Sequence, residues 1–157
     1  IRRQRQMCIR DRGKKVKLND VIKEAEYADI ILSLLMEPYR INSVTKMIFF
    51  AFCIRYEDNF ASYRSRTKDF VDVFFENISL KLATNYKDIQ KILCVLKILV
   101  KSGKISITGD SIEVMDELEH STENDFIKMC NGKTPNPILE INKLDATAVI
   151  EEVIRYV

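Results

Sequence analysis

The sequence is poor in the residues that mark special chain classes. It has 4 glycines and 3 prolines in 157 residues, too few for a collagen-like repeat or a low-complexity linker. With 46% apolar and 31% charged residues, it is also not a chain too polar to fold. Long apolar runs are missing as well. The longest, Met47 to Ile54, has eight residues, against the roughly 18 needed to span a bilayer, so no transmembrane helix is expected. Histidine occurs once, as His120 in the polar stretch Glu119-His120-Ser121-Thr122, with no local partners for a catalytic triad or a metal site. Beyond Cys8, three cysteines remain, Cys53, Cys94 and Cys130, with no C-x-x-C spacing. That pattern supports neither a disulfide framework nor a zinc site. The three read as small core residues of a protein in a reducing cytoplasm.

What remains is the size and composition of one globular domain. Its charge is unevenly spread. The full chain carries 25 basic and 23 acidic residues, net +2. Ile1 to Arg12 holds five arginines and one aspartate, has no amphipathic period and lacks the apolar stretch of an export signal. The string Met7-Cys8-Ile9-Arg10-Asp11-Arg12 resembles translated sequencing-adapter read-through, so residues 1–12 are set aside as a non-native leader. The alternative is a basic arm that touches nucleic acid or anionic lipid. Without the leader the net charge is −2. Residues 38–68 and 85–108 are each +4, and 109–157 is −7. A basic middle and an acidic end suit electrostatic docking.

Hydrophobic spacing gives the elements. Residues 13–26 are read as a lead-in, and Tyr27, Ile30, Ile31, Leu34 and Leu35 form a one-faced helix stopped by Pro38. Asn42 or Ser43 can cap a second helix that is apolar nearly all round (Val44, Met47 to Ile54), which must therefore be central. Arg55 to Arg66 reads as a loop. Thr67 can cap a third helix with Phe70, Val71, Phe74, Phe75 and Ile78 in its stripe; Asp69 and Asp72 suit its N-terminal dipole. Asn85 with Asp88 looks like a weak capping box for a fourth helix. Its expected stripe is Ile89, Ile92, Leu93, Leu96, Leu99 and Val100, and Gly103 ends it. The opposite face carries Lys87, Gln90, Lys91, Lys97 and Lys101, interrupted by Cys94 and Ile98.

After Gly103 the period changes from 3.6 to 2. A two-residue turn at Gly109-Asp110 pairs Thr108 with Ser111, Ile107 with Ile112, Ser106 with Glu113 and Ile105 with Val114, with all four apolar side chains on one face. A short helix near Glu123 to Cys130, a Pro135-Asn136-Pro137 loop and a final helix capped by Asp145 complete the chain. The last stripe is Ala146, Val149, Ile150, Val153, Ile154 and Val157. The predicted fold is therefore mainly α with one small β-hairpin, a single helical domain over 27–157.

Catalytic signatures are absent. Gly132-Lys133-Thr134 imitates the end of a phosphate-binding loop, but Ile127 stands where the earlier glycine belongs and Pro135 follows where a helix should start. It reads as a turn. Glu151-Glu152, Asp69 with Asp72, and Glu117 with Glu119 are carboxylate pairs on solvated faces. The chain is read as a non-enzyme needing no cofactor or metal.

Helices three and four with the hairpin, residues 67–114, resemble a winged helix-turn-helix. In DNA-binding members of that class the helix before the wing enters the major groove. Lys87, Gln90 and Lys91 would then face bases and phosphates, with Arg64, Arg66, Lys68, Lys97 and Lys101 adding to the basic surface. The wing tip Thr108-Gly109-Asp110-Ser111 is a poor phosphate contact because Asp110 repels it. Protein docking is thus placed ahead of DNA binding.

A wider likeness extends from Tyr27 to Val157. A helix ending in Glu37-Pro38-Tyr39-Arg40-Ile41-Asn42-Ser43, an aromatic-rich second helix, the helix-plus-hairpin unit and the helix start Asn142-Lys143-Leu144-Asp145 resemble the middle components of bacterial ABC-type three-component systems. In that family a small protein is encoded between an ABC-class ATPase and an effector, in defence against foreign genetic elements. The resemblance implies a cytoplasmic adaptor whose partners are that ATPase and that effector. The alternative is a winged-helix transcriptional regulator that binds DNA.

Overall fold

The computed structural model describes residues 18–56 and 70–155. Among them are seven helices and a two-stranded antiparallel sheet. The order is α1 (Leu18–Leu35), α2 (Val44–Arg55), α3 (Phe70–Asn85), α4 (Asp88–Lys101), β1 (Ile105–Thr108), β2 (Ser111–Val114), α5 (Asp125–Asn131), α6 (Pro137–Asn142) and α7 (Ala146–Arg155). No helix among the described residues is long and apolar enough to cross a membrane.

Helix α2 is central, as its apolar circumference requires. Met47, Phe50, Ala51, Phe52, Cys53 and Ile54 are all buried, and α1, α3, α4 and α7 pack around it. α1, α2 and α4 pack against one another, whereas α3 sits on α2 and α7. The Ser79 hydroxyl fixes the α3–α7 contact by donating to the Val153 carbonyl at 2.8 Å.

Helix α1 is described from Leu18 onward, so the described part of the expected lead-in over 13–26 is helical. Leu18, Val21, Ile22 and Ala25 recur here at helical spacing, but all four are exposed, and charge ties this stretch to its neighbours. Asp20 pairs with Lys91, Lys23 with Asp88 and Glu26 with Arg55. These acid and base positions recur every three residues, so they share one side of α1.

Ser43, one of the two expected caps, accepts from the Lys46 N–H at 3.2 Å. The boundary between α3 and α4 differs from the expectation. Asn85 ends α3, with its amide donating to the Lys81 carbonyl and the Thr84 hydroxyl, and α4 starts at Asp88 without a side-chain cap. The buried face of α4 is also rotated. Ile92, Val95 and Leu96 are buried, while Leu93 and Val100 are 44% and 40% exposed. Asp88 draws the face round, because its carboxylate is itself buried against α1 and α2. Gly103 closes the helix at φ 77, where a side chain would be strained. The Gly103 and Lys104 N–H groups return to the Val100 and Leu99 carbonyls.

The hairpin register matches the sequence pattern at all four pairs. Ile105 and Ile112 are buried and Ile107 is half-buried, but Val114 is 43% exposed. The expected four-residue seal is therefore open at its last position.

The C-terminal helices are tied on by asparagines and Tyr39. Asn124 and Asn136 cap α5 and α6. The Tyr39 hydroxyl donates to Asn131 and accepts from Asn136, and its carbonyl accepts from Asn142. Helix α6 follows directly on the expected Pro135-Asn136-Pro137 loop and has no counterpart in the sequence reading; at six residues it is too short to show a period. Asp145 caps α7 as expected, accepting from the Ala148 N–H at 2.8 Å. Val149 and Val153 are buried, but Ile150 and Ile154 lie at the surface. Gly132 caps the end of α5, in keeping with the turn expected at Gly132-Lys133-Thr134.

Candidate functional site

The outward side of α4 gathers most of the described sequence candidates. Core contact from Asp88, Ile92, Val95 and Leu96 fixes the helix rotation. At 100° per residue, Gln90, Lys97 and Lys101 then point away from the core, and Lys87 lies beside them. All four are exposed. Lys97 and Lys101 are one turn apart, so their like charges reinforce one another at the surface. Leu93 and Val100 border this strip on one side, and Ile98, 58% exposed, borders it on the other.

Lys91 departs from the expectation. It turns towards α1 and pairs with Asp20 at 3.4 Å, and its side chain is 19% exposed. It is an internal tie, not part of the outer strip. Arg64, Arg66 and Lys68 lie outside the described residues. Cys94, expected in the core, is exposed on the outward side of α4, whereas Cys53 and Cys130 are buried. Burial pushes the Cys53 thiol well above its ordinary range and leaves it unreactive.

The hairpin tip is committed to α2. Asp110 accepts from the Ser43 hydroxyl, the Thr45 N–H and the Thr45 hydroxyl, while its backbone carbonyl accepts from the Val44 N–H. Further along the same edge of β2, Ile112 donates to the Asn42 carbonyl at 2.8 Å, and Ser43 bridges Ser111. The first N–H groups of α2 are thus shared between Ser43 and Asp110, where a carboxylate also meets the positive end of the helix dipole. Burial alone pushes the Asp110 carboxyl up. The hydrogen bonds from Ser43 and Thr45, with the Lys46 charge nearby, outweigh this and hold it below the usual carboxylate range. The expectation that Asp110 disfavours phosphate acquires a structural counterpart. Its oxygens are already used to clamp the tip.

Two polar groupings escaped the sequence reading. Asp88 is 3% exposed and accepts from the hydroxyls of Tyr27, at 2.9 Å, and Tyr56, with Lys23 at 3.6 Å. Burial and the neighbouring carboxylate push both phenols above their ordinary range, so they remain neutral donors. These partners lie 61 and 32 residues from Asp88 in the chain, and no local motif announces them. The second grouping is His120 with Asp29, at 2.6 Å, where Asp29 also accepts from the Glu123 N–H. It pins the connector after the hairpin to α1 beside a shallow cleft of about 310 Å³. Ser33 donates to the Asp29 backbone carbonyl, not to His120, so these three residues do not form a nucleophile–base–acid chain. Among the described residues, no group of three or more His, Cys, Asp or Glu side chains is arranged to hold a metal ion.

Against this geometry, comparison with protein-family models, curated proteins and solved structures finds no match for the chain. The reading of the α4 face therefore rests on its own chemistry. An exposed cationic strip edged by leucine, valine and isoleucine can hold an acidic surface by charge and a few apolar side chains by desolvation.

Proposed function

We propose that this protein is a non-enzymatic adaptor that docks an acidic surface of a partner protein on the outward face of α4. The observation that carries the reading is that three exposed lysines, Lys87, Lys97 and Lys101, with no ion-pair partner among the described residues, lie beside exposed Leu93, Ile98 and Val100 along α4 and its N-cap. A solvated lysine face needs no apolar border; a docking face gains from both. The winged-helix resemblance is part of the same proposal. The unit expected over 67–114 has α3 and α4 as its helices, but α4 packs on α1 and α2 whereas α3 packs on α2 and α7. In the proposed unit α1, α2 and α4 instead serve as the three helices, the hairpin as the wing, and the Ser43–Ser111 bridge as the short strand between the first two. The resemblance to middle components supplies the partners: an ABC-class ATPase and an effector in a bacterial defence system.

Co-expression with the neighbouring genes tests this directly. The adaptor is expected to co-purify with the ATPase, and Lys97→Glu with Lys101→Glu is expected to lower recovery at least tenfold while leaving thermal unfolding unchanged. Purification as a lone monomer under every co-expression condition overturns the reading.

DNA binding is the second reading, favoured by the exposure of Lys87, Gln90, Lys97 and Lys101. Counting against it are the engagement of Lys91 with Asp20 and the use of the wing tip by α2. It predicts binding that weakens steeply with salt and is reduced by Lys87→Ala. Indifference to both removes it.

A further inference from the structure

A groove on the far side of β2 from β1 has a different chemistry from the α4 face. It encloses about 590 Å³ between the α1–α2 connector, β2 and residues 116–118. The backbone explains why it exists. Ser43 and Asn42 run beside β2 as a short third strand, antiparallel to it, with the Ile112 N–H donating to the Asn42 carbonyl. This third strand then leaves the sheet. The Ile41 N–H is taken by the Leu34 carbonyl, the Arg40 N–H by the Met36 carbonyl, and Arg40 turns at φ 45. The ladder that would continue beside Val114 is missing, which is why Val114 stays 43% exposed.

The hairpin register fixes what faces the gap. Met115 donates to the Lys104 carbonyl across the hairpin, so Ser106–Glu113 and Thr108–Ser111 are the pairs that bond inward. Ile105–Val114 and Ile107–Ile112 are then the pairs that do not. The N–H and C=O of Val114 therefore point outward into the groove, as the outward N–H of Ile112 does towards Asn42. Ile41, Ile112 and Val114 supply an apolar lining, and Glu37, Glu113, Asp116 and Glu117 surround it with carboxylates. Among the described residues Arg40 is the one basic lining residue, and it is paired with Glu37; Asp116 is paired with Lys104. Glu113 and Glu117 have no ion-pair partner among the described residues.

We infer that this groove binds an extended basic peptide segment of a protein partner by strand addition, continuing the third strand where the 40–43 segment leaves it. The free strand edge supplies main-chain hydrogen bonds, and the lining takes alternate apolar side chains. The carboxylates select Lys or Arg at the positions between. Nucleic acid and acidic peptides are repelled by the net negative charge that Glu113 and Glu117 leave there. The inference is independent of the α4 proposal, since it uses another surface and the opposite charge.

The test uses the full chain and a synthetic heptapeptide of alternating Lys and Val, with an alternating Glu and Val peptide as control. Titration followed by amide NMR is expected to show saturable shifts centred on Val114 and Glu113 for the basic peptide only. Val114 amide exchange is expected to slow at saturation. Glu113→Lys with Glu117→Lys is expected to weaken binding at least tenfold without altering thermal unfolding, and N-methylation of alternate peptide nitrogens is expected to abolish it. Lys97→Glu, on the α4 face, is expected to leave peptide affinity within twofold. No binding at millimolar peptide, equal affinity for the N-methylated peptide, or shifts confined to another surface overturns the inference. So does a self-associated protein that becomes monomeric on Glu113→Lys, because a second copy would then be the occupant.

Discussion

The two faces of α4 use charge in opposite ways. On the inner face a single carboxylate, Asp88, is buried and accepts from two tyrosines with a lysine beside it; on the outer face three lysines are exposed, with no acid paired to them among the described residues. Burial makes the inner charge dependent on every partner it has, because a lost hydrogen bond there is not replaced by solvent. The outer charges contribute little to folding and remain available for binding. A charged residue in this helix is thus tied into the fold or left open to solvent according to the side it occupies.

The sharpest contrast comes from deleting inner bulk. Ile92 is fully buried, and Ile92→Ala is expected to destabilise by about 3 to 4 kcal/mol, read by urea denaturation. Next is Asp88→Ala, which orphans the two tyrosine hydroxyls and is expected to lower stability by about 2 to 3 kcal/mol. Tyr27→Phe, removing one donor, should lower it by about 1 kcal/mol. A stability unchanged by Asp88→Ala would place that carboxylate with the outer charges.

Asp110 provides the intermediate case, an acid at the surface with fixed partners. Asp110→Ala is expected to reduce stability by about 1 kcal/mol, as for a lost helix cap. The folded carboxyl titrates below its unfolded value, so the contact's contribution is complete above about pH 4 and fades as pH falls through the lowered folded value. The gap between wild type and variant in urea midpoints should therefore be constant from pH 7 to 5 and close in stronger acid. Smallest is the outer face. Lys97→Ala with Lys101→Ala is expected to shift stability by no more than about 0.5 kcal/mol while weakening partner recovery. An equal loss of stability would erase the distinction between the faces.

Much of this arrangement is legible in the residues. The hairpin pairs follow from Gly109-Asp110 and the alternation around it, because a shift of one residue would turn Ile105, Ile107 and Ile112 to solvent. The central position of α2 follows from its apolar circumference, and the caps Ser43 and Asp145 from their short polar side chains. The misread places share a cause. Asp88 looks like a capping residue from its neighbours, yet its partners come from α1 and α2. Lys91 has the spacing of a surface lysine, yet Asp20 draws it in. Leu18, Val21, Ile22 and Ala25 have helical spacing, yet all four are exposed, because the side of α1 turned to its neighbours there carries Asp20, Lys23 and Glu26. Leu93 and Val100 fit the stripe of α4 as well as Val95 does by period alone, and the buried carboxylate decides between them. The groove beside β2 had no signal at all, since it arises from where the 40–43 segment leaves the strand.

Local pattern, then, determined the helical class, the hairpin and its register, and the presence of an outward lysine strip, because these depend on residues within a turn or two of each other. Tertiary structure alone decided which lysines stay free, which way α4 is rotated, how the hairpin tip is held and where a strand edge is left open. Each of those depends on a hydrogen bond or ion pair between residues tens of positions apart, and such a bond forms only once the helices have packed.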